Sequence, residues 1–96
     1  MKILQTPNFK KSLKKLHPNQ KTSLDEAVRT LCHDPLIGNL KKGDLSGVRV
    51  YKFQMGSLMT LLAYQYDKQN DTLTLLKIGS HENFYRDLKD RLIREL

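Results

Sequence analysis

A chain of 96 residues with 17 Lys plus Arg, 10 Asp plus Glu, one Cys and no Trp is the size of a single domain, residues 1–96, and excludes a two-domain enzyme. Leu, Ile, Val and Phe supply 27 of the 96 residues, above the roughly 20% below which a charged chain stays disordered, so a folded domain is expected. A domain this small buries roughly 60 to 65% of its unfolded surface and leaves little room for a large internal cofactor cavity. The single Cys rules out an intrachain disulfide, and nothing at the N-terminus reads as a signal peptide. The near-apolar run Leu58 to Tyr64 is far short of the ~20 residues that span a bilayer, and a reducing cytoplasm is the expected compartment.

The net charge of +7 is carried by one half: residues 1–52 hold eleven Lys/Arg and four Asp/Glu, whereas residues 53–96 hold six of each. A basic half on a small domain points to a polyanionic partner, either nucleic acid, an anionic membrane or an acidic protein, with solubility alone as the plain alternative.

In chain order, Met1 to Gln5 reads as an edge strand that stops at Thr6-Pro7, with Thr6 as N-cap and Pro7 at the first helical position. Phe9, Leu13 and Leu16 follow at helical spacing, with Lys10, Lys11, Lys14 and Lys15 on the other side. His17-Pro18 breaks this helix. A second apolar stripe, Leu24, Ala27, Val28 and Leu31, runs to Asp34-Pro35 and completes a two-helix hairpin. Residues 34–47 carry Gly38, Gly43 and Gly47 and read as a loop, tacked to the core by Leu36, Leu40 and Leu45. Val48 to Gln54, Leu58 to Tyr66 and Thr72 to Ile78 read as an antiparallel meander whose central strand is covered on at least most of both faces. Ser80 reads as the N-cap of a last helix with Phe84, Leu88 and Leu92 as its apolar stripe. Glu82–Arg86, Asp87–Arg91 and Asp90–Arg94 brace that helix as i, i+4 ion pairs. The fold class is therefore α+β: an N-terminal strand, a two-helix hairpin packed on a small antiparallel sheet, and a C-terminal helix.

Metal chemistry has no support, because Cys32, His17, His33 and His81 show no ligand spacing; Cys32 reads as a packed small hydrophobe. No phosphate-binding glycine motif is present, and no cofactor is implied. His17 and His33 stand beside helix breaks, where capping at a C-terminus explains them. His81 instead follows a strand and a glycine at a helix start, near Lys77, Tyr85 and Arg86, where an imidazole titrates in the range of a general acid or base. If the polyanion is RNA, its own 2′-OH can attack the phosphate once a base removes the proton, an acid protonates the leaving 5′ oxygen and cations stabilise the phosphorane. His81 suits either proton-transfer role. Arg49, Lys52 and Lys77 would supply the positive field, unless Arg49 and Lys52 are merely a solvated strand face, and Tyr85 would stack on a base or steer a proton. Lys10, Lys11, Lys14, Lys15, Lys41, Lys42, Lys77 and Arg86 are the candidate RNA-binding residues.

The order of elements resembles the RelE/ParE superfamily of bacterial toxin–antitoxin toxins. So do the segments 9–16 (FKKSLKKL), Asp34-Pro35, and 45–52 (LSGVRVYK). The tail Leu76 to Tyr85, LKIGSHENFY, is similar to the G-[ST]-H-x-x-[LF]-[FY] ending of the YafQ-type branch. The resemblance covers essentially the whole chain. It implies a toxin of a type II system that cleaves mRNA on the ribosome and is neutralised by a cognate antitoxin wrapped over its basic surface, with no membrane partner. It also implies that His81 and Tyr85 contribute to catalysis, and it matches Arg49 to the arginine of the first long strand. One departure stands out: many relatives carry an arginine in the central strand, whereas Thr60-Leu61-Leu62-Ala63-Tyr64 has no basic residue, as in YafQ-type strands. The alternative reading is a ParE-like toxin that inhibits DNA gyrase without nuclease residues, and a third is a basic RNA-binding module without chemistry.

Overall fold

The computed structural model describes residues 1–80 and 84–95. The chain runs β1 (Lys2–Gln5), α1 (Pro7–Lys14), α2 (Pro18–His33), β2 (Asn39–Leu40), a 3₁₀ turn (Gly43–Leu45), β3 (Arg49–Met55), β4 (Leu58–Asp67), β5 (Thr72–Gly79) and α3 (Phe84–Glu95). Every element expected from the sequence is present, and the loop after α2 contributes β2 and the 3₁₀ turn in addition.

Helix α1 starts where the cap chemistry requires. The Thr6 hydroxyl accepts from the Phe9 amide at 3.2 Å and donates to the Leu76 carbonyl at 3.0 Å, so one side chain both caps a helix and ties it to β5. Phe9 is buried and Leu13 and Leu16 pack against the same core, while Lys10, Lys11, Lys14 and Lys15 are exposed. The break after α1 corrects the reading of His17. Lys15 is the C-cap of α1, and His17 is the N-cap of α2, its amide donating to Gln20 Oε1 at 2.8 Å. Pro18 at the first helical position favours that arrangement. Of the two histidines only His33 therefore stands at a helix C-terminus, in the last turn of α2.

The sheet has five strands in the order β1-β5-β4-β3-β2. It is mixed rather than purely antiparallel, because β1 runs parallel to β5 while the other neighbours are antiparallel. The intervening helices and strands separate β1 from β5 in sequence, which a parallel pair requires and a tight turn cannot provide. Strand β4 is central and alternates between two cores. Leu62 and Tyr64 join Phe9, Leu24, Leu31 and Leu73 beneath the hairpin; Leu61 and Ala63 join Val48, Val50, Phe84 and Leu88 beneath α3. Both faces are therefore closed, as the unbroken apolar run in β4 demands. One irregularity interrupts the β4–β5 ladder: Ala63 is opposite Lys77 and Tyr64 opposite Leu75, which leaves Leu76 as an extra, bulged residue. Leu76 packs in the core under α3, the face to which the Ala63–Lys77 pairing also assigns Lys77.

The loop after α2 is fastened differently from the expectation. Leu45 is buried, but Leu36 and Leu40 are 57% and 55% exposed, so two of its three leucines do not anchor it. At the far end of the sheet Asp67 organises the β4–β5 turn, accepting from the Gln69 amide at 3.1 Å and the Asn70 side chain at 2.7 Å. These bonds hold its carboxyl below the ordinary carboxylate range, the Asn70 side chain contributing most.

Candidate functional site

The face of the sheet under α3 gathers cations around aromatic rings. Val50, Ala63 and Lys77 form one cross-strand row, and Lys52, Leu61 and Gly79 the next. With neighbouring strands ~4.8 Å apart, Lys52 lies about 10 Å from Gly79 across Leu61. Phe84, the first residue of α3, is buried against this surface, and Tyr85 beside it is half-buried, the two rings meeting edge to face at 5.4 Å. Lys41 follows β2 and extends over Tyr85, its Nζ 5.1 Å from the ring centroid, while Lys77 Nζ is 5.9 Å from the centroid of Phe84. Each such contact contributes about 0.5–1 kcal/mol at a partly exposed position, enough to orient a lysine that would otherwise sweep through solvent. Two ammonium groups are thus held beside adjoining rings on one face of the sheet.

Arg49 and Lys52 do not share this face. They are three residues apart on one strand, so their side chains leave opposite sides of the sheet. Lys52 is exposed on the α3 side. Arg49 is opposite Tyr64 on the hairpin side, where its guanidinium donates to the carbonyls of Leu36 and Gly38 at 3.1 and 3.0 Å. Tyr64, fully buried, donates its hydroxyl to the Pro35 carbonyl at 2.8 Å and accepts from the Gly38 amide at 2.9 Å. Burial pushes the Tyr64 phenol above its ordinary value, against the opposing pull of the Gly38 N–H and of Arg49. Gly38 is obligatory at this contact, because a Cβ there would lie 2.7 Å from the Tyr64 hydroxyl oxygen.

Of the other residues singled out in the sequence, Lys42 and Arg86 are exposed near Lys41 and Tyr85 in the chain. The four lysines of the first helix belong to the opposite layer. Lys15 alone among them reaches toward the end of β5, lining a 190 Å³ groove with Leu16, Thr60, Gly79 and Ser80. His81, Glu82 and the Glu82–Arg86 pairing lie outside the described residues, as do the side chains of Asp90, Arg91, Leu92 and Arg94 and their pairings. Sequence reasoning did not find the Tyr64–Gly38–Arg49 contacts, although a tyrosine hydroxyl in the middle of an apolar central strand signals a buried group in need of partners. Among the described residues no three His, Cys, Asp or Glu side chains come together as metal ligands, and no helix is long and apolar enough to cross a membrane.

A mixed five-stranded sheet with a helical hairpin on one face and a C-terminal helix on the other is the RelE-like α+β fold. The intact Escherichia coli RelBE toxin–antitoxin complex aligns with a TM-score of 0.70 at 17% identity, over 84% of this chain and 96% of that one. A doubly substituted E. coli RelE toxin in the free state gives 0.74 at 14% identity over 99% and 96%, and a RelBE complex from Mycobacterium tuberculosis 0.66 at 23% over 83% and 96%. Comparison with curated proteins finds no match. The profile of the ParE-like toxins of type II bacterial toxin–antitoxin systems matches residues 3–89, and the chain belongs to that family.

Proposed function

We propose that this toxin is an endoribonuclease that cuts mRNA on the ribosome and so stops translation, with its site on the sheet face under α3. The observation that carries the reading is the pair of lysines, Lys41 and Lys77, held over the adjoining rings of Tyr85 and Phe84. A base stacks on Tyr85 while Lys41, Lys77 and the exposed Lys52 surround the phosphate and stabilise charge on the phosphorane. The RNA 2′-OH attacks phosphorus, the bond to the 5′ oxygen breaks, and a 2′,3′-cyclic phosphate remains. His81, two residues beyond the end of β5, takes the 2′ proton or gives one to the departing 5′ oxygen. The solved RelBE complexes are toxin–antitoxin pairs, and a cognate antitoxin attracted to this basic surface is the proposed regulator.

A second reading is favoured by the ParE-like character of the family profile and by Leu61 and Ala63, which give the middle of the face no cation: inhibition of DNA gyrase without RNA cleavage. Purified protein added to a cell-free translation reaction and to a gyrase supercoiling assay separates the two. Cut mRNA with lost translation is the expected result; lost supercoiling with intact mRNA overturns the nuclease. In the first assay His81→Ala should remain folded and lower the cleavage rate by ~10²-fold or more, the usual contribution of a positioned general acid or base. Undiminished cutting would remove His81 from the mechanism.

A further inference from the structure

We infer that Arg49 and Tyr64 form a clasp on the hairpin face of the sheet whose function is to hold Lys41 over Tyr85 on the opposite face, which makes both of them positioning residues rather than catalytic ones. The inference rests on the nuclease reading for its consequence and on geometry for its existence.

Strand β2 has little of its own to hold it in place. It is two residues long, pairs only through Asn39 with Val50 and Leu40 with Arg49, and its neighbours Leu36 and Ile37, like Leu40, are exposed. An edge strand this short, with no apolar burial, is marginal in water. The clasp supplies what is missing. Four hydrogen bonds of 2.8 to 3.1 Å link the Tyr64 hydroxyl and the Arg49 guanidinium to the backbone of Pro35, Leu36 and Gly38, three donated by the side chains and one by the Gly38 amide. They use groups on two adjacent strands of the rigid sheet. Gly38 admits the tyrosine because it has no Cβ.

The fixed segment then delivers Lys41. Leu40 is opposite Arg49, the Lys41 amide donates to the Val48 carbonyl at 2.9 Å, and the alternation of an extended chain sends the Lys41 side chain through to the α3 side, over Tyr85. Arg49, for its part, directs its guanidinium at two backbone carbonyls on the face away from Tyr85 and so is placed to order the loop, not to meet the phosphate. A basic residue on the first long strand thus acts on the site through the lysine that follows β2.

A kinetic double-mutant cycle on mRNA cleavage, paired with NMR of the Lys41 side chain, tests this. Arg49→Met and Lys41→Met should each lower the rate, up to about 100-fold as for a misplaced catalytic group, and the double variant should be no slower than Lys41→Met. In the parent, the Tyr85 ring current should displace the Lys41 ε-methylene resonance, and Arg49→Met, Tyr64→Phe and Tyr85→Leu should each return it to the ordinary lysine position. Should Arg49→Met fail to fold, Tyr64→Phe takes its place in the cycle, since it keeps the core ring and deletes only the hydroxyl. Rate effects that multiply in the double variant, or a Lys41 resonance unmoved by Tyr64→Phe, overturn the clasp. A parent that leaves mRNA intact defeats the nuclease reading, while the resonance still decides for or against the clasp.

Discussion

At the scale of single residues, Tyr64 joins stability to pH. Its phenol is raised above the ordinary value near 10 chiefly by burial, so the folded state keeps the proton longer than the unfolded chain does. The stability this contributes is complete below the unfolded pKa and is lost as pH rises through the higher folded one. Urea denaturation followed from about pH 9 upward should therefore show a steeper loss in the parent than in Tyr64→Phe, the difference between the two cancelling the lysines that titrate in both. Below that range Tyr64→Phe should be less stable by about 1–3 kcal/mol, because the Gly38 amide is buried and loses its partner. Equal pH slopes in the two proteins would remove the titrating role.

At the scale of elements, the sequence carried most of the architecture, because helix stripes and strand alternation are local signals. Phe9, Leu13 and Leu16, the β-branched and aromatic run of β3 and the two-sided apolar run of β4 all occupy the places their periodicity assigns. What escaped was non-local. The parallel partner of β1 and the bond from Tyr64 to Pro35, 29 residues away, have no signature in neighbouring residues. Two details were nevertheless legible: Pro18 and Gln20 mark His17 as an N-cap, and the three-residue spacing of Arg49 and Lys52 already puts them on opposite faces. Thr6 shows how an element end serves two neighbours, since its hydroxyl caps α1 and also meets the carbonyl of the bulged Leu76. Thr6→Ala should lower unfolding free energy by about 1–2 kcal/mol in chemical denaturation, the upper end of a lost cap because a second bond goes with it. A change within error would mean that water replaces both.

At the scale of the whole molecule, the basic charge is divided between layers. Lys10, Lys11, Lys14 and Lys15 are exposed on the hairpin side, whereas Lys41, Lys52 and Lys77 belong to the α3 side. Under the proposed nuclease function, the hairpin lysines would dock the protein and the α3-side lysines would serve the chemistry. Replacing the four hairpin lysines with Gln should weaken ribosome association and reduce the slope of log affinity against log salt, by ~0.7–0.9 for each phosphate no longer neutralised. Cleavage of ribosome-bound message at saturating protein should persist. A salt slope identical to the parent's would assign ribosome docking to another surface.

The bulge at Leu76 gives β5 a surplus of one residue over the partner it pairs with, and the surplus falls at a repeated letter, Leu75-Leu76. A strand shortened there would read Leu-Thr-Leu-Lys-Ile in unbroken alternation, with Leu73, Leu75 and Ile78 still under the hairpin and Lys77 still beneath α3. Removal of Ala63 from β4, by contrast, would invert the facing of every residue on one side of the cut. The residue at this point of the sheet can therefore be lost without changing the side on which any other group stands, and aligned relatives should place a one-residue gap at 75–76 far more often than at 63.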